Sequence, residues 1–406
     1  MTQAILDRID ATREEIIILL QQLIRIPSPT FQEAKLANFT EKRLQAMGME
    51  TYINRLGDVT GIVRGTTAQP LFLLNTHLDQ AEAGDMEDPF EGKILDGQAF
   101  GVPGQVIYGR GANAQKACLA GMIYASQVIL TAKIPLRRGF AINASVMEEC
   151  GGHLPPKYLV EFDRLPIGLV LCGEHTALRP VNGQRGMIHL QLHIEGKGAH
   201  AASPEGSSSA LSGMARVIVA LDDLRGRLPQ DPMLGAASVS LNRLFVVPNV
   251  ANAIPDVCHA VVDLRYPATI KREEMVGIVQ EQIAATVSQQ VGLRHVAEIE
   301  KRPVVSYTGL EEQSDGCMLP FYTPEDDPLV VALQESIRQV TGAETETELW
   351  KISSEGGYFS TVCGLPVVSF GPGEDRFTHN RLEHVRLEDV IIATKVFALM
   401  LLKVCA

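Results

Sequence analysis

The stretch YGRGANAQKACLAG, residues 108–121, sets Gly109, Gly111 and Ala114 in the spacing G-x-G-x-x-(G/A) ahead of an apolar helical run, the form of a dinucleotide-binding turn. Such a turn needs a strong strand directly before it and an acidic residue about twenty positions on. Here the preceding strand candidate is only QVIY, 105–108, and the downstream ILTAKIP, 129–135, carries no acid. The nucleotide reading falls, and the fold must be read from what surrounds the loop.

Upstream, Ile5, Ile9, Ile16, Leu20 and Leu23 recur at helical spacing and predict a helix over 3–25, stopped by the Pro-Ser-Pro of 27–29; a second helix is expected over about 32–48. The period then changes to short apolar runs at Leu71–Asn75, Phe140–Val146, Leu169–Cys172 and Val367–Phe370, with helical stretches between them at 115–132 and 328–341. That alternation predicts a mainly parallel α/β sheet. Between Arg185 and Glu298 the texture differs. MIHLQLHIEG, AASVSLNRLFV and CHAVVDLRYP alternate apolar with polar residues, and helices are expected at 208–225 and 271–290. We therefore expect a discontinuous α/β domain, 1–184 and 299–406, carrying an inserted smaller α+β domain, 185–298.

Two compact domains suit a chain of 406 residues that is 46% hydrophobic. No apolar signal-like run follows Met1 and no run of 18 uncharged apolar residues occurs, so the expected address is cytoplasmic, with no membrane span. A formal charge of −12 gives no basic footprint for nucleic acid or anionic membrane. The seven cysteines show no C-x-x-C spacing and sit mostly among apolar neighbours, as reduced packing residues do.

Ligands of open α/β sheets bind beyond the carboxyl ends of the strands, and each apolar run is followed by cation-binding groups. His77 and Asp79 follow the first, Glu148 and Glu149 the second, Glu174 the third, and His379, across GPGEDRFT, the fourth. Singly, a carboxylate after a strand is usually a solvated loop residue. Jointly, two histidines, a lone glutamate and a glutamate pair form the mixed nitrogen and oxygen set that zinc accepts, with manganese or cobalt possible by ligand type. In THLD, His77 and Asp79 project to the same side of an extended segment, so Asp79 can fix the imidazole tautomer from behind. Adjacent glutamates point differently, so one can bind metal while the other takes a proton from an activated water.

The segments NTHLD, GRGANAQK, VMEECGG, CGEHT, GKGAHAASPEG, NAIPD, VVDLRYP and SFGPG…THNRLEHV resemble, in order and over nearly the whole chain, the motifs of the dinuclear zinc amidohydrolases and peptidases that include acetylornithine deacetylase, succinyl-diaminopimelate desuccinylase, the aminoacylases and carboxypeptidase G. The resemblance implies two divalent metal ions, His77 and Glu174 on one and Glu149 and His379 on the other, with Glu148 as general base and Asp79 behind His77. The family's bridging aspartate, however, falls at position 114, where this chain has alanine. A methyl group binds no metal, so two cations would lack the anion that screens their repulsion, and occupancy should be reduced. Neighbouring Asn113 is a poor bridge. A naturally silent chain would have no reason to keep Glu148 beside an otherwise complete ligand set, so Ala114 reads better as a replacement of the aspartate that disables the enzyme.

The same resemblance implies a homodimer formed through the inserted lid domain, with His200 reaching the partner's site to stabilise an oxyanion, and Asn252 and Arg265 holding a substrate carboxylate. From the residues alone, His200 equally fits a loop histidine and Arg265 a surface ion pair with Asp263; His189 and His193, two apart in one strand, read as surface residues. The expected activity is metal-assisted hydrolysis of a C–N amide bond in a small carboxylate-bearing molecule. Hydrolytic deamination or decarbamoylation on the same scaffold, and a catalytically silent binding protein, are the alternatives. A serine hydrolase is disfavoured, since no G-x-S-x-G occurs.

Overall fold

The computed structural model describes all 406 residues. Its centre is a nine-stranded sheet in the order 50–53, 59–63, 140–145, 71–77, 167–173, 367–370, 181–184, 321–322, with 348–350 also paired to 181–184. The four strands from 140–145 to 367–370 are parallel; antiparallel partners flank them on both sides. Strands 71–77 and 140–145 are buried at every position, which is why they read as unbroken apolar runs. Each fully buried Leu or Phe there contributes about 1.5–3 kcal/mol. Helices Arg13–Ile24, Gln115–Thr131 and Leu387–Cys405 pack over one face in a core of 57 buried residues, and Leu159, Phe321 and Phe359 cover the other.

The helix expected over 3–25 is two, Thr2–Ala11 and Arg13–Ile24. The break lies at Thr12, whose hydroxyl donates to the Arg8 carbonyl at 2.8 Å, a local bond that competes with the helical ladder. QVIY is a strand, but it pairs antiparallel with 93–96 and 384–386 in a separate three-stranded sheet. The 108–114 loop thus does not leave the parallel sheet, the physical reason it is no dinucleotide turn.

Residues 186–299 build a second, antiparallel sheet in the order 238–247, 257–266, 186–195, 294–299, with helices Ala210–Leu224 and Arg272–Ser288 and a core of 24 buried residues. Along 186–195 burial alternates residue by residue, so one face packs on the helices and the other stays open. All seven cysteines are free, and only Cys150 and Cys363 are not buried. No helix is long and apolar enough to cross a membrane.

Candidate metal centre

The four parallel strands deliver their carboxyl ends to one place. His77 ends strand 71–77, Glu148 and Glu149 form a short turn after 140–145, Glu174 follows 167–173, and His379 lies beyond 367–370. Together with Ala114, the residue before helix 115–131, they line one pocket of about 380 Å³.

Asp79, fully buried, organises this rim. Its carboxylate faces His77 Nδ1 at 3.2 Å, and accepts the Glu148 and Glu149 backbone N–H groups, each at 3.0 Å, and the Thr30 hydroxyl at 2.8 Å. His77 is therefore held by Nδ1 and turns Nε2 to the pocket. Met147, just before the glutamates, takes a left-handed φ of 62°, which costs a non-glycine residue about 1–2 kcal/mol. Its N–H donates to buried Glu33 at 3.2 Å, and that turn is what aims both following amides at Asp79.

The electrostatics are those of crowded anions. Burial raises Glu174 to about 7, offset only in part by His77, with Glu149 and Asp375 raising it further. Burial also pushes Glu148 well above the carboxylate range, against the pull of His77. Burial alone would disfavour a charged His77, yet Glu148, Asp79 and Glu174 lift it well above the usual imidazole value. His379, itself left-handed at φ 57°, rests its Nε2 on Glu149 at 2.9 Å, and that contact raises it.

The 108–114 loop is fixed independently of residue 114. Arg110 forms a buried ion pair with Glu383 at 2.6 Å, and Glu383 also accepts the Asn113 N–H at 3.2 Å. The Asn113 amide donates to the Glu374 carbonyl and the Thr378 hydroxyl at 2.8 and 2.7 Å, and its oxygen accepts the Glu374 N–H at 2.9 Å. Asn113 thus ties the loop to the segment carrying His379. Packing there is close: a Cβ on Gly373 would sit 1.7 Å from the Asn113 carbonyl oxygen.

Of the remaining expected residues, Arg265 lines the pocket and also grips Asp263 through two bonds of 2.8 and 3.0 Å, so the site residue and the ion pair are one arrangement. His189 is not a free surface residue. It stands opposite Asp263 in the strand register, bonds it at 3.1 Å and has Glu300 at 3.8 Å. His193 contacts His259 at 3.1 Å across the strands. His200 and Asn252 lie outside the pocket, exposed and side by side, with the Ala201 N–H donating to the Asn252 carbonyl at 2.9 Å. Sequence reading missed Trp350 and His175. Trp350 donates to both Asp375 oxygens at 3.2 Å, and buried His175, edge-on to the Trp350 ring, has its Nε2 3.3 Å from Asp375 and its Nδ1 3.7 Å from Glu174. The adjacency of His175 to Glu174 was the available signal.

These residues fit a divalent cation at His77 and Glu174, where an oriented imidazole meets a buried carboxylate that burial holds near neutrality. Glu149 and His379 are a second donor pair, in contact with each other. Nowhere do three or more such side chains close into one shell. Ala114 lines the same pocket with a methyl group, 4% exposed.

Residues 73–403 match the family described as Peptidase family M20/M25/M40. The succinyl-diaminopimelate desuccinylase of Acinetobacter baumannii (strain ACICU) is 26% identical over 404 residues, covering 94% of this chain and 96% of that one. Among solved structures, a tripeptidase from Staphylococcus aureus superposes with a TM-score of 0.75 at 19% identity, covering 97% of this chain and 98% of its own. The Bacillus subtilis YXEP protein, described as a dinuclear metal binding peptidase, gives a TM-score of 0.68 at 14% identity, covering 96% and 97%.

Proposed function

Because the chain belongs to peptidase family M20/M25/M40, we propose that it is a metal-dependent hydrolase of a C–N amide bond in a small carboxylate-bearing molecule, with Glu148 as general base. The observation that carries this reading is that His77, Glu148, Glu149, Glu174 and His379 line one small pocket at the carboxyl ends of four parallel strands. The similar desuccinylase and the dinuclear peptidase fold support amide chemistry and two cations. In this reading His77 and Glu174 hold one cation and Glu149 and His379 the other, zinc by ligand type, with manganese or cobalt acceptable. When bound, the cations supply Lewis acidity to a water and to the scissile carbonyl.

Glu148 takes the water's proton and returns it to the leaving nitrogen. Burial raises its affinity for a proton, as a general base requires, and Asp79, through the Glu148 N–H, holds it in place. Arg265 offers its guanidinium to a substrate carboxylate, which then competes with Asp263. The Ala202 N–H donates to His200 Nδ1 at 3.1 Å, so Nε2 carries a proton and points outward as a donor. His200 and Asn252 share one exposed edge and therefore act together, on the site of a second protomer. The homodimer forms through the 238–247 edge strand, whose Leu244, Phe245 and Val247 are exposed. Phe245→Asp should shift sedimentation from dimer to monomer; an unchanged dimer would move the interface elsewhere.

Ala114 lowers metal occupancy and with it activity in this cytoplasmic enzyme, and it is the one observation favouring a silent binding protein. A panel of N-acyl amino acids, carbamoyl compounds and aminoarenes, assayed with an Ala114→Asp variant loaded with zinc, manganese or cobalt, decides between them. Hydrolysis of an N-acyl substrate supports the proposal; hydrolysis of a carbamoyl compound or an aminoarene alone favours decarbamoylation or deamination. A variant that binds two metals and turns over nothing favours the silent reading.

A further inference from the structure

A crevice of about 520 Å³, larger than the metal pocket, runs along the seam between the two cores. His153, Lys157 and Tyr358 form one wall, and Tyr266, Lys271 and Arg272 of the second module form the other. Two hydrogen-bond donors there have no partner. Tyr266 is 1% exposed, and its hydroxyl bonds to nothing. The Leu319 N–H donates to His153 Nε2 at 2.9 Å, which makes Nε2 the lone-pair nitrogen and leaves the proton on Nδ1; that Nδ1 is buried and unpartnered. A buried donor without an acceptor costs about 1–3 kcal/mol, so the fold keeps a standing demand for an acceptor in this crevice.

The lining carries three cations, Lys157, Lys271 and Arg272, and three carboxylates, Glu161, Glu273 and Asp315. The acidic residues lining the crevice are engaged: Arg272 holds Asp315 at 3.1 Å and Glu273 at 3.0 Å, and Glu161 accepts the Tyr358 hydroxyl at 2.8 Å. Lys157 and Lys271 make no ion pair with any carboxylate. The first turn of helix Arg272–Ser288, which has no side-chain cap, opens onto the same space, and the positive end of its dipole is already met by Glu273 and Glu274 of that turn.

We propose that this crevice is a second ligand site, for a small organic or inorganic anion carrying a carboxylate or phosphate group, and that its occupant couples the second module to the metal centre. The route is short. His153 is separated from Glu149 by Cys150, Gly151 and Gly152. Gly151, with a φ of 70°, itself lines the metal pocket, and Gly152 has a φ of 103°. An anion bridging His153 and Lys271 ties this pivot to the second module.

Calorimetric titration of the whole protein with inorganic phosphate and, separately, with succinate tests this. Saturable binding is expected, weakened at least about tenfold in Lys157→Glu/Lys271→Glu and several-fold in Tyr266→Phe, with slowed hydrogen exchange over 148–153 in the bound protein. Binding of phosphate alone or succinate alone supports the site and names its ligand group; binding of both supports the shared chemistry. Three results overturn it: no binding of either anion in the millimolar range, affinity unchanged in both variants, or binding lost in His379→Ala but kept in the lysine pair, which would put the anion at the metal pocket. Melting of each variant in anion-free buffer separates lost binding from lost folding.

Discussion

In Ala114→Asp a carboxylate enters the pocket between two donor pairs, His77 with Glu174 and Glu149 with His379, that lack a common ligand. Loss of an outer partner of a metal ligand costs 10–100-fold in affinity, so gain of a direct anionic ligand should tighten binding by at least about 100-fold, or about 2.7 kcal/mol. With metal in excess of its dissociation constant this gain passes into stability. For a chain of 406 residues, with an unfolding entropy of about 2.1 cal/mol/K per residue, it raises the melting temperature by about 3 °C. Residue 114 also precedes helix 115–131, where an aspartate cap adds about 1 kcal/mol with or without metal. The readout is therefore the melting shift between chelated and zinc-loaded protein, compared between parent and variant, so that the cap cancels. Elemental analysis should rise towards two metals per chain. If the variant shows the parent's metal content and the parent's shift, position 114 is no bridging position and the assignment of the two donor pairs fails with it.

In the same Ala114→Asp background, Glu148→Ala should lower turnover by about 10²–10⁴-fold while metal content stays constant, because Glu148 moves a proton and holds no cation; a parallel loss of metal would make it a ligand. Glu383→Gln leaves Arg110 buried without its counter-charge, a change that typically costs about 3–5 kcal/mol, and loosens the loop beside His379. Lower melting and weaker metal retention are expected, and an unchanged melting curve would count against the pinning role. Asp58, fully buried, is pushed by burial from 3.8 to about 8. A raised carboxyl group contributes its stability in full below the unfolded value and loses it as pH climbs through the folded one, so chelated protein should melt progressively lower from about pH 4 to about 8. Asp58→Asn should flatten that decline, and an equally steep variant would show that other groups set it.

How much was legible follows from which forces are local. The parallel strands could be read because burial on both faces makes them continuous apolar runs, and the polar residues that end them stand out by contrast. The pleat set Asp79 behind His77 for the same local reason. Glu33, Glu355 and Glu383 were invisible, since their partners are 114, 280 and 270 residues away in the chain. Strand alternation put His189 on the open face of its sheet but could not tell what stands beside it. Register put Asp263 there.

The loop at 108–114 joins these two kinds of information. Its glycine spacing suggested a phosphate cradle, yet its conformation is held by Arg110 on Glu383 and by Asn113 on Glu374 and Thr378. None of those contacts involves the side chain of residue 114. A methyl in place of a carboxylate therefore removes a ligand without releasing the loop, and Ala114 stays packed in the pocket. The anions around it carry the consequence: half-buried Glu148 and buried Glu174 are both raised, with His77 as the nearby cation that offsets them. A pocket so arranged is built for more positive charge than its side chains supply. That imbalance, more than any single motif, argues that the centre binds cations and that an aspartate at position 114 would meet a frame already in place.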